Sequence, residues 1–162
     1  MKPELTWLAW SVVLAIVHML ITVQALVSNK GLMTTFGNRE NLPELPGWGG
    51  RACRANANMA QNLVLFAAVV LAAVAAGVTD NMTVLGAQIF FWGRIVYAVA
   101  YIGGIMYLRT AAWTVSIIGV LLIVLFNLFQ NPGRQSTGQE VAYSQFLSDV
   151  DAGEVRSVTI AG

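Results

Sequence analysis

RACRANANMAQNLVLF, residues 51–66, is the stretch whose reading decides the fold. Two arginines, three asparagines and a glutamine (residues 51–62) lead straight into an apolar run, 63–78. That run alone is slightly short of the roughly 20 apolar residues a membrane-spanning helix needs. The span therefore extends back through the polar cluster, from about Arg51 to Val78. On a helix Arg51, Arg54, Asn58 and Gln61 recur at i, i+3, i+7 and i+10, which is a single face.

The rest of the chain fits a membrane setting. Of its 162 residues, 57% are hydrophobic and 10% charged, against about 25% charged in an ordinary soluble domain, and mean hydropathy is +0.66. A net charge of +1 offers no basic surface for nucleic acid. The single cysteine, Cys53, rules out an internal disulfide. The first apolar run is too long for a signal segment and lacks a small-residue cleavage site, so it reads as a retained span. Four spans follow, at about 5–27, 51–78, 82–108 and 110–129, with "GVTDN" (77–81) as a tight turn. The expected fold class is an all-α membrane protein: a four-transmembrane-helix domain over residues 1–130, then a polar tail over 131–162. Trp7 and Trp10 sit near one interface. Lys30, Arg39, Arg51 and Arg54 lie between the first two spans and Arg109 follows the third. Positive-inside counting places these in the cytoplasm and both termini in the periplasm, with Lys2, Arg134 and Arg156 on the disfavoured side.

The third span carries a second polar stripe. Arg94, Tyr97 and Tyr101 recur at i, i+3 and i+7. An arginine at mid-span costs a few kcal/mol on lenient insertion scales, so it must face protein or a wet cavity. Two helices thus offer cationic, hydrogen-bonding faces to an interior open toward the cytoplasm, and Arg109 adds a third cation there. Spacing alone leaves two readings. The polar residues either join helices or close around a small anionic, peptide-like cofactor, whose carboxylates arginine grips bidentately and whose thiolate a nearby cation stabilises.

These residues resemble a known family. "RACRANANMAQNLVLF" is similar to the second-helix pattern R-x-x-R-A-x-x-N-x-x-E-x-x-P-x-F of MAPEG proteins, the membrane-associated proteins of eicosanoid and glutathione metabolism, with Arg51, Arg54, Ala55, Asn58 and Phe66 on it. "WGRIVYAVAYIGGIMYLRT" resembles the third-helix pattern through Arg94, Tyr97, Tyr101 and Arg109. The openings "PELTWLAW" and "NKGLMTTFGNRENLP" resemble the bacterial branch, and the likeness runs over about residues 3–125. It implies a homotrimer of four-helix bundles in a bacterial inner membrane, with glutathione bound between subunits on the cytoplasmic side. It further implies cofactor contacts from Arg51, Arg54, Asn58, Gln61 and Arg94, and catalytic roles for Arg109, Tyr97 and Tyr101. The chain departs from the pattern at Gln61, where the family has glutamate, at Asn62, a tyrosine position in some members, and at Val64, the proline position.

The other end resembles a different family. "LLIVLFNLFQNPGRQSTGQEVAYSQFLSDVDAGEVRSVTIAG", 121–162, is similar to the N-terminal anchor and first periplasmic residues of the membrane metalloprotease FtsH. A short helix at about 143–151, closed near Gly153, and a strand at 155–160 are expected there, an α/β-like tail. The chain contains no P-loop and no H-E-x-x-H, so neither ATP hydrolysis nor proteolysis is expected of it. The tail instead offers a contact for a membrane-protein partner or a sheet edge.

Three smaller features are read structurally. His18, mid-span, is expected to hydrogen-bond a neighbouring helix. Cys53 is expected to pack, and no metal-ligand spacing occurs. Gly103–Gly104 permits either a kink or close packing. The expected function is a glutathione-dependent transferase or peroxidase acting on lipophilic electrophiles from the bilayer. The alternative is a non-catalytic membrane component of the same fold that recruits a partner through its tail.

Overall fold

In the computed structural model, residues 1–37, 44–129 and 150–153 are described. Five helices follow one another: α1 (Pro3–Lys30), α2 (Leu32–Phe36), α3 (Gly47–Ala75), α4 (Asn81–Gly103) and α5 (Met106–Phe129). Four of them, α1, α3, α4 and α5, are long and apolar enough to cross a membrane. The chain is a multi-pass membrane protein, and no strand occurs among the described residues.

The helix ends follow local chemistry. Pro3 opens α1, where its fixed φ and missing N–H suit the first turn. Asp80 caps α4: its carboxylate accepts from the Met82 and Thr83 amides, and the Thr83 hydroxyl accepts from the Asp80 N–H. Both α3 and α4 close on a left-handed glycine. After α3, Val78 N–H reaches back to the Ala73 carbonyl and Gly77 N–H to Val74, with Gly77 at φ 73°. After α4 the same pair of bonds runs from Ile105 to Ala100 and from Gly104 to Tyr101, with Gly104 at φ 84°.

That second closure corrects an expected boundary. The third span was expected to run to about residue 108, but it stops at Gly103, and the fourth helix starts at Met106 rather than 110. Gly104 adopts a backbone conformation that any Cβ would oppose, so the chain turns there instead of continuing as helix. Arg109 consequently belongs to the first turn of α5. The other spans are longer than expected at their N-terminal ends, and α3 stops at Ala75, three residues short of Val78. The short helix α2 was not anticipated.

Contacts show an up-and-down arrangement. The Thr83 hydroxyl donates to Glu4 Oε1 at 2.6 Å, which joins the starts of α1 and α4. Arg51 Nε donates to the Ile102 carbonyl at 2.9 Å, which joins the start of α3 to the end of α4. Helices α4 and α5 run antiparallel in close contact: a Cβ on Gly86 would meet Gly119 O at 2.7 Å, and one on Gly93 would meet the Ser116 Cβ at 3.0 Å. Small residues at helix crossings replace the hydrophobic drive that lipid cannot supply. The buried face of α1 repeats every seven residues, Glu4, Ser11, His18 and Ala25. The apolar core gathers Phe66, Val70, Ala73, Ala87, Phe90 and Ile123, with Phe66 and Phe90 stacked at 4.0 Å.

Residues 133–162 form a separate compact unit. Of it, 150–153 are described, a helical turn that ends at Gly153, φ 73°, whose N–H bonds the Val150 carbonyl. The remainder of the tail helix expected at 143–151, and the strand expected at 155–160, lie outside the described residues.

Candidate functional site

The polar residues of α3, α4 and α5 converge at the end of the bundle where α4 closes and α5 begins. Asn58, Tyr97, Tyr101, Arg109, Thr110 and Trp113 line an open-sided cavity of about 260 Å³. Each reaches it for a local reason. Asn58 sits one turn beyond Arg54 on α3. Tyr97 and Tyr101 are i, i+4 neighbours on α4, and their rings meet edge to face at 5.4 Å. Arg109 is brought back over them by the Gly104 turn, with its guanidinium carbon 4.8 Å from the Tyr101 ring centre. Thr110 and Trp113 follow on the same face of α5.

Arg94 stands behind this wall. It is fully buried, at 0% exposure. Its Nη1 donates to Asn58 Oδ1 at 2.7 Å, and its guanidinium carbon lies 5.3 Å from the Phe90 ring centre and 5.2 Å from that of Tyr97. Asn58 is itself held by Asn62, whose Nδ2 donates to the Asn58 carbonyl at 2.8 Å and approaches its Oδ1 at 3.3 Å. Arg94 Nε and Nη2 are buried and have no hydrogen-bond partner among the described residues.

The α3 stripe is thus divided. Arg51 caps a terminal carbonyl of α4 through Ile102 and lies beside Gly104. Arg54 is exposed and sits 3.7 Å from the still more exposed Glu44. It lines a second cavity of about 310 Å³ with Leu26, Leu45 and Cys53. Gln61 is exposed, and no hydrogen bond to it occurs among the described residues. Within one protomer the structure therefore brings together Asn58, Tyr97, Tyr101 and Arg109. It places Arg94 behind them and leaves Arg51, Arg54 and Gln61 outside that cavity.

One expectation is corrected. His18 is buried, at 3% exposure, but both ring nitrogens lack a hydrogen-bond partner among the described residues. Its spacing within the apolar α1 positions it opposite other helices without dictating a partner.

Sequence reasoning did not select Thr110, Trp113 or Asn62. Trp113 is four residues from Arg109 and Asn62 four from Asn58, so helical spacing was the available signal. It was hidden for Trp113 because α5 was expected to begin at 110. Glu4, buried at 1%, was missed for another reason. An acid in the first turn reads as a solvated helix start, and only the packing of α1 on Thr83 buries it.

An apolar groove of about 530 Å³ runs along α4 and α5, lined by Leu85, Ile89, Trp92, Val96, Leu108 and Val115 among others. Its α5 wall shares turns with the polar cavity, since Leu108 and Ala112 alternate with Arg109 and Trp113 along one helix.

The family model described as "MAPEG family" matches residues 5–129. A model described as "FtsH Extracellular" matches residues 112–162, so most of α5 lies within both. The chain is 44% identical over 46 residues to an ATP-dependent zinc metalloprotease FtsH of Magnetococcus marinus. That stretch is 28% of this chain and 6% of the protease. No solved structure matches the chain.

Proposed function

The chain belongs to the MAPEG family, and from that premise we propose that it is a membrane glutathione-dependent transferase or peroxidase acting on lipophilic electrophiles. The observation that carries this reading is the cavity of Asn58, Tyr97, Tyr101 and Arg109. It presents a guanidinium, an amide and two phenols, and among the described residues no carboxylate lines it. Such a donor-rich site suits an anionic, peptide-like molecule with a thiol. At about 260 Å³ it lies just below the usual range of ligand pockets, roughly 300–1,000 Å³. A neighbouring protomer of a homotrimer completes it in this reading. Arg54 and Gln61, exposed on the same helix as Asn58, supply further contacts across that interface, with Arg51 supporting the α3–α4 junction beside it.

Chemically, Arg109 stabilises the glutathione thiolate, with the Tyr97 or Tyr101 hydroxyl as a hydrogen-bond donor. The sulfur attacks the electrophilic carbon, a carbon–sulfur bond forms, and the leaving group departs with its electron pair while the thiol proton passes to solvent. The lipophile arrives from the bilayer along the apolar groove on α4 and α5. In this reading the membrane is a bacterial inner membrane, and the positive-inside count favours this end of the bundle on its cytoplasmic side and both termini in the periplasm.

The test is titration of the full chain, purified in detergent, with glutathione, followed by conjugation assays with chlorodinitrobenzene. Saturable thermal stabilisation at millimolar glutathione together with turnover supports the reading. Neither would be seen for the second reading, a non-catalytic component that recruits a membrane partner through its tail. The match of 112–162 to the FtsH extracellular segment favours that alternative.

A further inference from the structure

The Asn58 side chain has a definite polarity. Arginine carries hydrogen-bond donors and no acceptor, so the group facing Arg94 Nη1 at 2.7 Å is the amide oxygen. Asn62 Nδ2 approaches the same oxygen at 3.3 Å. A flipped amide would set its NH2 against both donors, beside a guanidinium that is wholly buried. Arg94 does not turn outward to meet a ligand itself. It is packed against the Phe90 and Tyr97 rings and does not line the cavity. Asn58 does line it, and the side-chain hydrogen bonds it makes among the described residues all go to its Oδ1, none to Nδ2.

We propose that Arg94 is a positioning residue: it holds the Asn58 oxygen inward so that the amide NH2 faces the cavity, which restricts that point of the site to a hydrogen-bond acceptor such as a carboxylate or a peptide carbonyl. This rests on the reading that the cavity holds glutathione. The side chain of mid-span Arg94 thus acts through Asn58 and touches no ligand. Specificity follows from it, because an amide free to rotate would receive donors and acceptors alike, while the locked amide rejects a donor such as an ammonium group.

The deciding variant is Asn58→Asp in the full chain in detergent micelles. Aspartate keeps an acceptor toward Arg94, so the unliganded melting temperature is expected to hold or rise. It replaces the outward NH2 by an oxygen, so glutathione Kd is expected to weaken about tenfold or more. Arg94→Gln is expected to weaken Kd as well, because the amide is no longer locked, and Arg94→Lys, which retains a donor, is expected to recover part of the loss. If Asn58→Asp lowers the unliganded melting temperature, the Arg94–oxygen pairing is wrong. If wild type binds glutathione and Asn58→Asp binds it equally well, the positioning role is overturned while the glutathione reading stands. If wild type shows no binding, both are overturned.

Discussion

Gly119→Ala adds one methyl group at the closest approach of α4 and α5. Its Cβ would lie 2.6 Å from Gly86 O, 2.8 Å from Phe90 N and 3.1 Å from Ile89 Cγ2. Ordinary contact begins at 3.4 Å, so the shortest of these falls short by about 0.8 Å. Two of the three atoms are backbone and no rotamer change relieves them. The helices must separate, and overpacking of this kind costs roughly 1–3 kcal/mol. For a domain of this size that lowers Tm by roughly 3–10 °C. Separation at Gly119 also loosens the α5 turns that carry Arg109 and Trp113, so ligand binding should weaken alongside stability. Gly103→Ala is the control, since nothing lies within 4 Å of its Cβ, and alanine there should be neutral or slightly stabilising. The assay is a thermal scan of the detergent-solubilised chain by circular dichroism, with size-exclusion chromatography to follow assembly. A Gly119→Ala protein melting within about 1 °C of wild type would refute the close-packing argument, as would an equal loss in Gly103→Ala.

Other substitutions probe the site and its supports. Arg109→Ala should reduce glutathione conjugation by roughly a hundredfold while changing glutathione Kd only a few-fold, because the guanidinium is assigned to the developing thiolate; equal loss of both in steady-state and binding assays removes that role. Thr83→Val leaves the buried Glu4 Oε1 without its 2.6 Å donor, and should cost about 1–3 kcal/mol by thermal scan; the same change in a Glu4→Leu background should cost less, and equal costs would show that the pair is not coupled. His18→Leu should be neutral or stabilising, since the ring nitrogens have no hydrogen-bond partner among the described residues and apolar replacement of an unpaired buried polar group removes a desolvation penalty. A drop of more than about 5 °C would show that the ring is hydrogen-bonded in the assembled protein.

The amino-acid sequence by itself determined the class of this protein. Long apolar runs with few charges have no soluble solution, and backbone groups in lipid must be satisfied within each helix, so four spanning helices follow from hydropathy alone. The polar stripes were legible too, because Arg94, Tyr97 and Tyr101 share a helix face whatever their neighbours are. Only the tertiary structure decided what those faces meet. Periodicity states which residues lie on one side of a helix and is silent about the rotation of that helix against its neighbours. The α3 stripe, uniform in sequence, is therefore divided in space: Asn58 faces Arg94 and the cavity, while Arg54 and Gln61 face outward. The break at Gly104 shows the same limit. A glycine pair in an apolar run fits a kink, a crossing or a stop, and spacing does not choose among them. Here Gly104 takes a left-handed backbone that ends α4, and that turn sets Arg109 over Tyr101. The burial of Glu4 was beyond sequence for the same reason, since a carboxylate in a first turn is a surface group until another helix covers it.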